Sequence, residues 1–386
     1  MDQIDEPALS RRARRAVPLI AAALAVIVVA SLIYLKATAP PPAATFSPVP
    51  YVSYLSLRYQ VTYDFVSPSR GWALVVDQGF VPTFWVFGTT DGAKHWQRQL
   101  EGTPESGVSS IHFLDSRHGF AYAGVLYRTT DGGAYWEAIS LPEGTPNFTF
   151  ASPTQGWAVA IESDQNATTH LYSTADGGLT WHQLAWTLAS PISPTAKGGF
   201  PSLGFRASGE GWLGVFRQDP TVYLTKDSGR SWRAITIPLP PEEPADMHPT
   251  EVTLLPSNGV IVHVAGGSNP GRAFTSFDAG DSWRSIPSPP SPMEFGDLSF
   301  VDGRHWWASR WGILWKTSDA GQNWTTVREA LPDVPGEWIF QAAHVIDAQH
   351  AWLQMFTASR VNGGSGLEMS SDGGVHWSSV NVPRLG

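Results

Sequence analysis

Residues 173–181, with the sequence STADGGLTW, combine residue types that could form a metal or catalytic loop, a carboxylate followed by two glycines. Calcium loops place carboxylates at alternate positions and use one glycine for a sharp turn. Asp176 is the one carboxylate of this stretch. A second interpretation is therefore a turn between two strands, in which Asp accepts bonds from its own backbone and Gly supplies positive φ.

This stretch is one of seven copies of the same motif: Ser or Thr, any residue, Asp, a Gly-rich pair, and Trp five residues after Asp. Consecutive Asp residues lie 40 to 53 positions apart. Seven identical carboxylates on successive units cannot share one active site, so the motif predicts architecture, with no catalytic residue, metal or cofactor. The box, as we call this motif, contributes these predicted structural residues: Asp91, Asp131, Asp176, Asp227, Asp278, Asp319, Asp372, Trp96, Trp136, Trp181, Trp232, Trp283, Trp324 and Trp377.

Each box belongs to a longer unit with four strand candidates, such as IHFLD, GFAYA, VLYRTT and YWEAI in the second unit. A four-stranded unit repeated every 40 to 50 residues is typical of propeller blades, and the 18 Trp, 37 Gly and 31 Pro fit many short strands with tight turns. The sequence predicts an all-β, seven-bladed β-propeller of four-stranded antiparallel blades over residues 51–386. One N-terminal transmembrane helix is expected to precede it. Residues 51–57 are left over as an alternating strand, expected to extend an outer edge or help to close the ring.

The chain resembles the Asp-box, or bacterial neuraminidase repeat, propellers, whose pattern is Ser/Thr-x-Asp-x-Gly-x-Thr/Ser-Trp. The boxes at 174–181, 225–232 and 276–283 match this pattern in full, whereas Ala93 replaces the second Gly of the first box. The recurring pairing of GWA with DGGxxW is most similar to the photosystem II stability/assembly factor family and its relatives in non-photosynthetic bacteria. The resemblance implies that the box lies in the turn between the third and fourth strands of a blade.

The N-terminal region predicts a membrane anchor. Four arginines precede residues 17–35, which are uncharged, mostly apolar and long enough for about one bilayer span. Positive residues remain cytoplasmic, so residues 1–16 are expected to form a cytoplasmic basic tail and the propeller to lie outside the cytoplasm, as a single-pass protein of the cell membrane. A cleaved signal peptide is the alternative, with ATA at 37–39 as its site, although the apolar run is long and Pro40 would obstruct cleavage.

Composition narrows the classes of partner and chemistry. Residues 36–50 are rich in Pro and predict an extended linker. The remaining chain carries 20 Lys and Arg against 31 Asp and Glu, a net charge of about −11 that argues against nucleic-acid binding. Cysteine is absent, which excludes disulfides, thiolate metal sites and a cysteine nucleophile.

Binding residues are expected on the face opposite the boxes, where the connections between strands vary most in length. Long loops on a rigid scaffold are the usual carriers of binding, and their acidity predicts a cationic or basic partner; a merely solvated acidic surface is the alternative. A metal at His248 is a weaker hypothesis, because a lone His in a loop is seldom a ligand. The candidate partner-binding residues are Glu162, Asp164, Lys197, Glu242, Glu243, Asp246, His248 and Arg310.

Sialidases also carry such boxes, so an enzyme has to be considered. Their chemistry needs an Arg cluster, a Tyr nucleophile with a carboxylate neighbour, and an acid/base Asp. The Arg-Ile-Pro motif of that family is missing, since neither Arg58 nor Arg70 is followed by Ile-Pro, and no His-Glu-x-x-His, Gly-x-Ser-x-Gly or phosphate loop is present.

The sequence therefore predicts a non-catalytic, membrane-anchored extracytoplasmic propeller. It is expected to bind a protein partner, a subunit of a membrane complex, as a scaffold or assembly/stability factor. The alternative is a sialidase-like or other glycan-processing or glycan-binding propeller. The identity of the partner and the oligomeric state stay open.

Overall fold

The computed structural model describes residues 55–56, 58–145, 147–161, 169–185, 201–215, 220–239, 248–266, 269–287, 297–310, 312–329, 338–357 and 364–385. They form seven antiparallel sheets of four strands, one for each repeat, and a short extra strand, β1 (Leu55–Ser56). The seven-bladed β-propeller predicted from the repeats is confirmed. No helix among these residues is long and apolar enough to cross a membrane, and the predicted anchor lies outside them.

The strands follow one another from the inside of each blade to its outside. Blade 1 comprises β2 (Tyr59–Phe65), β3 (Gly71–Asp77), β4 (Phe84–Thr89) and β5 (Gln97–Gly102), and blade 2 comprises β6 (Ser110–Phe113), β7 (Gly119–Tyr122), β8 (Leu126–Thr129) and β9 (Glu137–Ile139). Blade 3 comprises β10 (Asn147–Phe150), β11 (Gly156–Ile161), β12 (Thr169–Thr174) and β13 (His182–Gln183), and blade 4 comprises β14 (Ser202–Phe205), β15 (Gly211–Gly214), β16 (Thr221–Thr225) and β17 (Arg233–Thr236). Blade 5 comprises β18 (His248–Leu254), β19 (Val260–Gly266), β20 (Asn269–Ser276) and β21 (Arg284–Ile286). Blade 6 comprises β22 (Asp297–Phe300), β23 (Trp306–Arg310), β24 (Ile313–Thr317) and β25 (Thr325–Glu329), and blade 7 comprises β26 (Trp338–Val345), β27 (Ala351–Thr357), β28 (Gly364–Ser370) and β29 (Ser378–Val380).

The antiparallel order gives the ring two different faces. The turns that join the first strand to the second and the third to the fourth lie on one face, which we call the box face because the boxes occupy the latter turns. The connections between the second and third strands, and between successive blades, lie on the opposite face, which we call the loop face. First strands of neighbouring blades contact one another, as β2 does β6 and β14 does β18, so they form the inner wall.

Aromatic rings join neighbouring blades. An aromatic residue at the start of a second strand stacks on a Phe from the first strand of the next blade, with ring centroids 3.3 to 3.9 Å apart and planes within 12° of parallel. Among the described residues, the pairs are Trp72 with Phe113, Phe120 with Phe150, Trp157 with Phe205, and Trp352 with Phe65. These rings are buried and join blades 7, 1, 2, 3 and 4 into a continuous series of shared cores.

The recurring Gly before the aromatic residue has a packing function. Gly119 pairs across the sheet with Phe113, and the ring of Phe113 lies over the glycine backbone. A Cβ atom at Gly119 would lie 2.4 Å from that ring. The same arrangement places Phe65 over Gly71, Phe150 over Gly156, and Phe205 over Gly211.

The ring is closed by both ends of the described chain. β1 pairs with β28, so the segment before blade 1 extends the sheet of blade 7. At the other end, the backbone N–H of Asn381 donates to the carbonyl oxygen of Ala93 at 3.1 Å, and Trp96 Nε1 donates to the carbonyl oxygen of Asn381 at 2.8 Å. From the sequence, residues 51–57 are expected either to extend an outer edge or to help to close the ring. The described part, Leu55–Ser56, does both.

We predict that Gly119→Ala destabilises the protein by about 1–3 kcal/mol, because the new Cβ displaces the stacked Phe113 ring. Gly107 is the matched control, since a Cβ there meets no atom within 4 Å, and Gly107→Ala is expected to change stability by less than about 1 kcal/mol. Urea unfolding followed by tryptophan fluorescence measures both. Equal midpoints for the two variants would contradict the packing function of the glycine.

Candidate functional site

The boxes lie in the turns between third and fourth strands, and every Asp of the set makes the same bonds. The Ser or Thr hydroxyl two residues before Asp donates to its Oδ1 at 2.7 to 3.0 Å. The same Oδ1 accepts the backbone N–H of the residue four positions on, at 2.9 to 3.0 Å. Each carboxylate is thus bonded within its own turn.

The two residues after each Asp have positive φ, which explains the Gly-rich pair. Four boxes place a residue with a side chain in one of these left-handed positions: Ala93, Ser228, Ala279 and Ala320. In six blades the backbone N–H of the first of these two residues donates to a carbonyl of the turn between the first and second strands, as Gly177 does to Thr154 at 2.8 Å. The box therefore fastens the two turns of a blade to each other.

The hydrogen bonds favour the ionised form of the box carboxylates. They lower the pKa of Asp227, Asp278 and Asp319 to about 2, first through the side chain four residues on, then through that residue's backbone N–H. Asp176, bonded by both the hydroxyl and the N–H of Thr180, has its pKa lowered still further. Such carboxylates are poor proton donors near neutral pH.

The Trp of the box packs inward. Trp96 and Trp136 are buried and the other five are half-buried. Several rings stand edge-on to the inner Phe of the same blade, as Trp136 does to Phe113 with centroids 5.9 Å apart. Together with the stack from the preceding blade, this contact encloses the Phe ring on two sides.

The loop face carries a groove between blades 2 and 3. Its inner part is a cavity of about 330 Å³, and its outer part is a cavity of about 320 Å³. Tyr122 and Leu126 line both parts, so the two are adjacent. The inner part is lined by Val108, Ser110, His112, Phe120, Tyr122, Leu126, Asn147, Phe148, Thr149 and Phe150. This blade 2–3 groove is the candidate binding site.

The walls of the groove are aromatic and its rim is polar. Phe120 and Phe150 stack at the base, and Tyr122 meets Phe148 edge-on with centroids 5.4 Å apart. Glu105 and Glu143 are exposed, Glu105 beside Gly124 and Glu143 between groove residues 142 and 144. An apolar cleft with a few polar groups suits an apolar side chain, and the carboxylates favour a basic neighbour beside it.

A buried carboxylate, Asp64, neighbours His112, which lines the inner part of the groove. Asp64, on the first strand of blade 1, accepts the backbone N–H of Phe113 at 2.5 Å and lies 3.6 Å from His112 on one side and 3.6 Å from His344 on the other. The interaction of the His112 imidazole with the Asp64 carboxylate raises the pKa of His112. These three residues come from blades 1, 2 and 7, so they link three first strands at the ring closure. Among the described residues, no group of three or more His, Asp or Glu is arranged to hold a metal ion.

The binding residues predicted from the sequence are not brought into this groove by the described structure. Glu162, Asp164, Lys197, Glu242, Glu243 and Asp246 lie outside the described residues. His248 and Arg310 lie at the start of β18 and the end of β23, but their side chains are outside the description. The prediction that these residues bind a partner therefore stays a prediction.

The blade 2–3 groove was not predicted from the sequence, because binding residues were expected on long loops. The groove instead accompanies a short blade. β6, β7 and β8 have four residues each, whereas β2 and β3 have seven, and only residues 123–125 connect β7 to β8. The sequence signal was the interval of 40 residues between Asp91 and Asp131, the shortest of the series.

Two sequence relatives are both photosystem II assembly proteins. No protein-family model matches the chain. The photosystem II assembly protein Ycf48 of Synechococcus sp. strain JA-2-3B'a(2-13) is 24% identical over 293 residues, covering 73% of this chain and 79% of the relative. The protein of the same name from Synechococcus sp. strain JA-3-3Ab is 25% identical over 290 residues, covering 73% of this chain and 78% of the relative.

Solved structures share the fold. YCF48 bound to a D1 peptide superposes with a TM-score of 0.53 at 17% identity, over 86% of this chain and 99% of that chain. A prolyl endopeptidase superposes with a TM-score of 0.55 at 12% identity, over 85% of this chain and 50% of that chain. At these identities the likeness shows the propeller fold alone, which proteins with different activities share.

We predict that Asp227, Asp278 and Asp319 stabilise the fold above about pH 4 and lose this effect as the pH falls toward about 2. The pKa of Asp227 is lowered to about 2 in the folded chain from the ordinary value of about 3.9, so its contribution is present above the latter value. Asp227→Asn is expected to lower the urea midpoint at pH 6, by an amount that shrinks at pH 3. Exposed Glu143→Gln is the control, with the same pH profile as the unaltered chain. An Asp227→Asn deficit that is the same at both pH values would contradict the account.

Proposed function

We propose that this protein is a membrane-anchored, extracytoplasmic propeller that binds a protein segment and assists the assembly or stability of a membrane complex. Support comes from the sequence similarity to photosystem II assembly proteins over about three quarters of the chain. A structural neighbour with the same propeller fold holds a peptide of the D1 protein. The partner proposed here is a subunit of a membrane complex of the host, of whatever metabolism.

The observation that carries the proposal is the blade 2–3 groove. Its aromatic walls include Tyr122 and Phe148, which are half-buried and meet edge-on. Aromatic side chains in a cleft with a polar rim are typical of sites that dominate protein binding. The inner cavity of about 330 Å³ takes one or two large side chains of a peptide, and the acidic rim favours a basic residue next to them.

The role proposed for the boxes is structural. Each of the seven carboxylates accepts a backbone N–H of its own turn, and all seven copies have the same bonds on successive blades. A reaction needs one constellation of differing groups, whereas these groups are distributed around the ring. We therefore propose a protein without catalytic activity.

The proposed topology follows from the N-terminal sequence. Residues 1–16 form the cytoplasmic tail, residues 17–35 the transmembrane anchor and residues 36–50 the linker, and the propeller lies outside the cytoplasm. The described strands fit this order, since β1 begins shortly after the linker.

Site-specific photocrosslinking in native membranes tests the groove. We predict that a benzoylphenylalanine at Phe148 yields one discrete adduct with a membrane-complex subunit, because that ring lines the groove. The matched control is benzoylphenylalanine at Tyr135, an exposed aromatic residue on the box face of the neighbouring blade 2, which is expected to give no such adduct.

A second variant separates binding from proximity. Phe148→Ala is expected to reduce capture of the same subunit by about tenfold or more, as removal of a central aromatic contact does, while Tyr135→Ala leaves it unchanged. Adducts of equal yield from both faces, or no protein adduct at all, would contradict a protein-binding groove. Absence of protein adducts with capture of saccharides on a glycan array would instead favour the glycan-binding alternative.

A further inference from the structure

The connection between β3 and β4 of blade 1 ends in an apolar tip on the loop face. Phe80 is fully exposed and Val81 is 76% exposed, more than any other large apolar residues described in the propeller. Pro82 follows them directly. Two adjacent apolar side chains projecting into solvent from a polar surface mark a contact site for another apolar phase.

The tip is held in its exposed position by the residues at its base. The Asp77 carboxylate accepts the N–H of Gly79 at 2.7 Å and bonds from Nε and Nη2 of Arg58, while the Asp77 N–H donates to the carbonyl oxygen of Thr83 at 2.8 Å. Asp77 itself is buried. The ion pair between Arg58 and Asp77 neutralises both charges at the base of the tip. The tip can therefore approach an apolar phase without bringing an unpaired charge of these residues with it.

The tip also lies beside the point where the N-terminal segment joins the propeller. Gln78 N–H donates to the carbonyl oxygen of Arg58 at 3.2 Å, and Arg58 follows β1 by two residues. The chain before β1 contains the apolar residues 17–35, separated from Leu55 by 19 residues that reach at most roughly 60 Å if extended. Any bilayer that holds residues 17–35 is therefore within reach of this edge of the ring.

We propose that Phe80 and Val81 insert into the interfacial layer of the lipid bilayer that holds residues 17–35. This inference rests on the membrane anchor of the proposed function. Aromatic and aliphatic side chains enter this layer to a depth of about 5–10 Å. The contact turns the loop face toward the bilayer. The blade 2–3 groove, on the same face and one blade away, then opens toward segments of membrane proteins that leave the bilayer.

The natural absence of cysteine makes a direct test simple. Phe80→Cys in the full chain gives a single thiol for an environment-sensitive nitrobenzoxadiazole probe. The labelled protein is reconstituted in vesicles of phosphatidylcholine and phosphatidylglycerol, with or without doxyl-labelled lipid as quencher. The matched control is Val375→Cys, which is 68% exposed on the box face of blade 7.

We expect the probe at position 80 to lose about half of its emission with the doxyl lipid, and the probe at position 375 to be unaffected. Vesicle flotation is measured on the same samples. Co-flotation with an unquenched probe at position 80, or equal quenching at both positions, overturns the tip contact and leaves the anchor intact. Failure to co-float overturns the anchor, and the tip contact with it.

Discussion

The stacking of aromatic rings between blades is the interaction on which the rest of the structure depends. A Phe on the first strand of one blade is enclosed by the ring of the preceding blade and by the box Trp of its own blade. Glycine across the sheet leaves the space that this ring needs. Blades 7, 1, 2 and 3 each place a ring against the Phe of the next blade, so each of these blades contributes to the core of its neighbour.

The interface that closes the ring therefore has additional contacts. The interface between blades 7 and 1 has the same aromatic stack, with Phe65 on Trp352. It also has hydrogen bonds from both ends of the described chain. β1 extends the blade 7 sheet, and Asn381 bonds to the first box. Asp64 accepts a backbone N–H of blade 2 and faces imidazoles of blades 2 and 7, so polar contacts accompany the apolar ones at the inner wall. The pairing of β1 also determines where any N-terminal tether meets the ring.

Much of the fold could be predicted from the residues, because the repeat reports the same physical requirement seven times. Asp, Gly and Trp at constant spacing predict a turn with two residues of positive φ and a buried ring. The strands between the boxes are predicted by the alternation of apolar and polar residues. The groove could not be found in this way, since it arises where blade 2 is shorter than its neighbours and uncovers Tyr122 and Phe148. Residues chosen for acidity and loop length, such as Glu242 and His248, identify variable segments but not which surface stays apolar.

The blade 2–3 groove is the proposed binding site for a protein segment on the loop face. Hydrogen–deuterium exchange of the full-length protein, alone and with its crosslink-identified membrane subunit, measures this most directly. We predict slower amide exchange at residues 122–126 and 147–150 on binding, and unchanged exchange in the box turn at residues 174–181. Protection confined to the box turns, or none in the groove, would contradict it.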